Sequence, residues 1–149
     1  MSHRSRPFRA IAIAALAPAL IGASPPEGEV SVTVTKLRSA KGQILACLTT
    51  DAHAFPQCER DSSARSLTLP AHEGMVLNFG HVPEGRYAIA LIHDENGNGK
   101  LDKHLVMPRE GFGFSRNAPV LFGPPSFSAA SFAVDGKDHH ETIAVKYLF

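Results

Sequence analysis

The stretch Val30-Ser31-Val32-Thr33-Val34-Thr35 alternates a β-branched apolar residue with a hydroxyl residue, and this period of two decides the fold class. Successive side chains on a strand point to opposite faces, so the three valines line one face and the hydroxyls the other. The same period recurs in Ile44, Ala46 and Leu48, and again in Ile143, Val145 and Tyr147. Each segment is expected to be a strand with one buried face. Further strands are expected at Arg65–Leu69, Met75–Phe79, Arg86–His93 and Phe127–Val134. In Tyr87-Ala88-Ile89-Ala90-Leu91-Ile92 both faces are apolar, one bulky and one small, which suits a central strand whose second face is covered by a loop or a neighbour. Arg38-Ser39-Ala40-Lys41-Gly42 has the length of a hairpin connection between the first two strands. No window after Ala23 carries a helical stripe of useful length. The expected fold is therefore all-β, a single antiparallel sandwich of about seven strands, immunoglobulin-like or transthyretin-like.

Residues 1–23 have the build of a Sec-type signal peptide. Arg4, Arg6 and Arg9 precede an apolar run from Ala10 to Ile21, and Gly22-Ala23-Ser24 offers small residues for cleavage after Ala23. The run is too short to cross a hydrocarbon core about 30 Å thick, and no paired arginines invite the twin-arginine route. One domain, residues 24–149, is expected to reach the periplasm or the medium with no transmembrane segment in the mature chain. Three of the 15 Lys and Arg lie in the leader and none of the 14 Asp and Glu, so the mature chain carries a net charge of −2. No basic stripe is left for nucleic acid and no Lys/Arg cluster for an anionic membrane. Cys47 and Cys58, an even count in an exported chain, read as a disulfide that closes a short loop and contributes roughly 2–3 kcal/mol.

Two segments depart from the strand pattern. The first is His93 to Asp102, HDENGNGKLD. Laid on a calcium loop, Asp94, Asn96 and Asn98 supply side-chain oxygens at loop positions 1, 3 and 5, Gly99 the bend at 6, Lys100 a carbonyl at 7, and Asp102 falls at 9. Position 12 is Leu105, where such a loop carries a bidentate glutamate, so calcium here would bind at only about 10⁻⁴–10⁻³ M. The alternative is a β-turn in which Asp94 and Asn96 cap backbone amides while Gly97 and Gly99 take positive φ. Calcium is the one cofactor these residues suggest. The second segment, Leu105–Pro125, holds four prolines and three glycines and is expected not to run as a regular strand. Its Phe112, Phe114 and Phe122 are expected to fold back and plug an open end of the sandwich. The alternative is a rigid binding loop that presents those rings to a ligand or partner, with Arg109 and Arg116 at its edge.

HVPEGRYAIALIHDENGNGKLD (His81 to Asp102), GFGFSRNA (Gly111 to Ala118) and FGPPSF (Phe122 to Phe127), in that order, resemble the bacterial family of exported proteins filed as domain of unknown function 2141. The resemblance runs from Val30 to Phe149. Val82-Pro83-Glu84-Gly85-Arg86-Tyr87 is also similar to the turn-and-strand signature of carboxypeptidase regulatory-like domains, which are transthyretin-like sandwiches. Both resemblances imply a sandwich, and neither implies an activity. The chain carries no Gly-x-Ser-x-Gly, no phosphate-cradling glycine loop and no His-Glu-x-x-His, and its histidines lack zinc-motif spacing. A non-catalytic binding or structural module of the cell envelope is expected, its partner an envelope protein or a small ligand. The alternative is a hydrolase or other enzyme whose site assembles around His93, Asp94, Glu110 and Ser115.

Overall fold

The computed structural model describes residues 19, 21–99, 103–104 and 107–148. The expected leader falls outside these apart from residue 19 and residues 21–23, and so do Lys100, Asp102 and Leu105. In β1 (Glu27–Thr35) the three valines are fully buried and the residues between them half-buried, as the period of two requires. β2 (Gln43–Thr49), β3 (Arg65–Pro70), β4 (Val76–Pro83) and β5 (Gly85–Asp94) follow. After them come two-residue strands β6 (Lys103–His104) and β7 (Met107–Pro108), then β8 (Gly111–Phe114), β9 (Phe132–Val134) and β10 (His139–Ala144).

The strands form the expected all-β sandwich. One sheet has the order β10-β1-β4, the other β3-β2-β5-β8, with β9 beside the start of β5 and β6 paired with β7. β1 and β10 run parallel, which ties the two ends of the domain together, and the other ladders are antiparallel. Between the sheets lie Val30, Val32, Val34, Ile44, Leu48, Leu77, Ile89, Leu91 and Ile143. Each such side chain removed from water contributes roughly 1.5–3 kcal/mol, so this layer supplies most of the driving force.

The expected hairpin between β1 and β2 is instead a crossing from one sheet to the other, because β1 pairs with β10 and β4 while β2 pairs with β3 and β5. A carboxylate turns the corner: Glu73 accepts the N–H groups of Lys36 at 2.9 Å and Leu37 at 2.7 Å, and Leu37 packs against the core.

A second apolar layer covers the outer face of the larger sheet. Ala88 and Ala90, the small face of β5, lie under Phe55, Phe112, Phe114, Ala118 and Ala130, with Val120 and Phe127 at the border. Phe55 meets Phe114 and Phe127 edge to face at 5.9 and 6.1 Å. The Cys47–Cys58 disulfide fastens the loop that carries Phe55 to β2. This layer corrects two expectations. Phe112 and Phe114 do not plug an end of the sandwich: they stand on a strand, β8, inside the segment expected to hold none, and cover a sheet face. The expected strand Phe127–Val134 begins as a helical turn, α1 (Phe127–Ala130), because the Ser126 hydroxyl accepts the Ala129 N–H and caps it, and only Phe132–Val134 is extended.

Candidate functional site

β5 ends at the corner where both sequence-derived sites converge. Its last two residues, His93 and Asp94, are buried and alternate to opposite faces. The Nε2–H of His93 donates to the Lys41 carbonyl at 2.8 Å; a carbonyl can only accept, so the proton of the neutral ring sits on Nε2. Nδ1 then accepts the Tyr147 hydroxyl at 2.7 Å, and that hydroxyl accepts the Arg38 N–H at 3.2 Å. The Arg38 guanidinium lies 4.4 Å over the Tyr147 ring and pairs with Glu95, with Nη2 2.5 Å from Oε2. Hydrogen bonding from Arg38 outweighs burial and holds the Glu95 carboxyl down at about 2. Burial pushes the Tyr147 hydroxyl up.

Asp94 organises the loop that follows. Its Oδ1 accepts the N–H groups of Gly97 at 2.9 Å and Asn98 at 3.2 Å; its Oδ2 accepts that of Gly99 at 2.8 Å and the Gln43 amide at 2.9 Å. Gly97 and Gly99 sit at φ of 68° and 73°, where other residues are strained, and Asn96 Oδ1 accepts the Asn98 N–H at 3.0 Å. These are the contacts of an Asx-anchored turn. Of the five candidate calcium ligands, Asp94, Asn96 and Asn98 share this turn, while Lys100 and Asp102 lie outside the described residues. Among the described residues no group of three or more His, Cys, Asp or Glu is placed to hold a metal.

The segment GFGFSRNA runs antiparallel to the second half of β5, Gly111 opposite His93 and Phe114 opposite Ala90. Gly111 and Gly113 face the core where side chains already fill the space. A Cβ on Gly113 would stand 2.5 Å from Ile143 Cγ2, and one on Gly111 would overlap Tyr147 and Val145. Ser115 is fully buried; its hydroxyl donates to the Ala130 carbonyl at 2.6 Å and accepts the Ile89 N–H at 2.9 Å. Arg116 and Asn117 take left-handed φ of 58° and 47°. Asn117 behaves as a borrowed strand residue, its side-chain amide donating to the Thr142 carbonyl and accepting the Ala144 N–H on β10, both at 2.9 Å.

Residues 32–142 match the family model described as uncharacterized protein conserved in bacteria (DUF2141). This chain belongs to that family. No curated protein and no solved structure matches the chain. The matched stretch of this DUF2141 domain begins inside β1 and ends inside β10, so it takes in both sheets and both loops.

Within the DUF2141 domain the fold brings His93, Asp94 and Glu110 of the alternative catalytic quartet to one corner and leaves Ser115 apart. His93 and Asp94 close one end of β5, Glu110 is buried one residue before the Gly111 that pairs with His93, and Ser115 is bonded to Ile89, four residues back along β5. Of the proposed binding loop, Phe112 and Phe114 are buried in the outer layer, Arg109 and Arg116 are exposed, and Phe122 stands wholly in solvent. Two residues escaped the sequence reading: Arg86, whose partner is 45 positions away, and Asn117, whose backbone-like bonds no local pattern announces. Ser115→Ala is expected to destabilise by about 1–3 kcal/mol, the cost of stranding the Ile89 amide and the Ala130 carbonyl in the interior. Denaturant midpoints check this, and an unchanged midpoint would refute the bridging role.

Proposed function

We propose that this DUF2141 domain is an exported, non-catalytic module of the cell envelope that holds an envelope protein or a small ligand at the apolar tip Leu121–Phe122. The observation that carries this reading is the exposure of the tip, 107% for Phe122 and 80% for Leu121. Two adjacent large apolar side chains in water are a cost to an isolated domain and an asset to one that docks. The loop is braced on both sides: Ala118 and Pro125 are buried, and Val120 packs on the outer phenylalanine layer. Pro119, Pro124 and Pro125 restrict its backbone, which lowers the entropy lost on binding. Support for export comes from the Arg-then-apolar pattern of residues 1–23 and from a disulfide, which persists in oxidising compartments. No helix among the described residues is long and apolar enough to cross a membrane.

The test is a double variant, Leu121→Ser with Phe122→Ser, expressed as the full chain and recovered from periplasm and medium. The melting temperature should be unchanged, because the side chains touch little. Capture of envelope components should fall by about tenfold or more, since truncating a central apolar anchor costs upwards of 2 kcal/mol. Equal capture by both proteins, or recovery only from the cytoplasm, overturns the proposal.

A further inference from the structure

We propose that Arg86 and Arg116 form a binding site for an oxyanion, independent of the apolar tip. Arg86 lies near the start of β5 and Arg116 in the left-handed turn after β8, yet their guanidinium groups converge on one main-chain oxygen. Arg86 Nη2 donates to the Ser131 carbonyl at 3.2 Å and to the Ser131 hydroxyl at 2.9 Å, and Arg116 Nη1 donates to the same carbonyl at 3.4 Å. Two positively charged groups thus share one neutral acceptor and repel each other. The acid bonded to the Arg116 backbone does not relieve the repulsion. Glu141 spends Oε2 on the Arg116 backbone N–H at 2.7 Å and places Oε1 3.4 Å from His139 Nε2, and among the described residues it makes no ion pair with either guanidinium.

The donors that remain point to the ligand class. A guanidinium offers five N–H groups, and here Nε and Nη2 of Arg116 and Nε and Nη1 of Arg86 have no acceptor among the described residues. The Nε–Nη2 edge of Arg116 is the fork that grips two oxygens of a phosphate or carboxylate at once. The arrangement is also preorganised. A non-glycine residue resists φ of 58°, and Arg116 is kept there by the Glu141 bond to its own amide and by the two Asn117 bonds to β10. An anion seated between the two arginines would cancel the repulsion and use the idle donors together.

Titrating the mature protein with inorganic phosphate, at ionic strength held constant with chloride, while following the arginine Nε–Hε resonances tests the site. Saturable shifts confined to Arg86 and Arg116 are expected. R86Q and R116Q should each weaken binding by about tenfold or more, the value of a charge-assisted hydrogen bond. R86K keeps the charge and loses the planar fork, so it should weaken binding as well. Arg86 stands on a regular strand, so R86Q carries the test even if R116Q loses its fold. Cosedimentation with phosphatidylglycerol vesicles, absent with phosphatidylcholine and lost in R86Q, assigns the phosphate to a lipid headgroup. Saturable phosphate binding without cosedimentation assigns it to a soluble compound, and either result keeps the site. Shifts that grow linearly without saturation, or that persist unchanged in R86Q, reduce the effect to counterion screening and overturn the proposal.

Discussion

Gly42→Ala is expected to lower the unfolding free energy by about 2–5 kcal/mol, the sum of a left-handed backbone penalty and an overpacking penalty. Gly42 has φ of 68°, and a Cβ built on it runs into the Asp94 carbonyl oxygen and stands 2.7 Å from two backbone atoms of Glu95. Every obstructing atom is main chain, so no rotamer can swing clear. The residue also joins three elements: it leads into β2, faces the end of β5, and its carbonyl accepts the Ala71 N–H at 3.1 Å just past β3. Gly97→Ala separates the two penalties. Gly97 shares the φ of 68° but has open space around its Cβ, so only the backbone penalty applies, about 1–2 kcal/mol. For a domain of this size 1 kcal/mol moves the melting temperature by about 2–4 °C, which puts the Gly42 variant roughly 10 °C below wild type and the Gly97 variant within a few degrees. Equal drops would show that the Asp94–Glu95 backbone moves aside and that the contact carries nothing.

The contrast between β1 and β8 explains how much of this fold a reader of the sequence could reach. β1 announces itself because its inward residues are valines. β8 is equally regular, but its inward residues are Gly111 and Gly113, since Ile143, Val145, Tyr147 and Leu91 already fill the space they face. An alternation whose buried face is hydrogen carries no hydropathy signal, so Gly-Phe-Gly-Phe reads as loop. β5 was legible in more detail: its small alanine face predicts a covered outer surface, and Phe55, Phe112 and Phe114 are that cover. What covers it was not legible, because the choice between plugging an end and roofing a face depends on contacts between distant segments. The candidate sites divide along the same line. Local turn chemistry identified Asp94 and its glycines. The convergence of Arg86 and Arg116 exists only after β5, the turn behind β8 and Ser131 have been brought together by the fold.

Asp94→Ala is expected to cost about 2–4 kcal/mol, since it removes a buried carboxylate that accepts four hydrogen bonds and leaves the Gln43 amide without its partner. The effect should depend on pH. Burial pushes the Asp94 carboxyl up, but the bonds from Gln43, Gly99, Asn98 and Gly97 together outweigh it and hold the group below its ordinary value. Glu95, bonded first of all by Arg38, is held down at about 2 from an ordinary 4.5. In both cases the unfolded chain takes up a proton more readily than the folded one. Their stabilisation is therefore complete above the unfolded carboxyl range and is lost as pH falls through the folded values. Wild type should weaken between about pH 4.5 and 2, and the Asp94→Ala variant, already without one of the two groups, should show the shallower fall. Urea midpoints across that range measure both slopes, and parallel slopes would remove Asp94 from the acid response. Calcium is the second measurement on the same pair of proteins. An ion held by Asp94, Asn96 and Asn98 raises the wild-type melting temperature at millimolar calcium and leaves Asp94→Ala unmoved, whereas a loop closed by amides alone leaves both unmoved. Both oxygens of Asp94 already accept two donors each, and that geometry favours the second result.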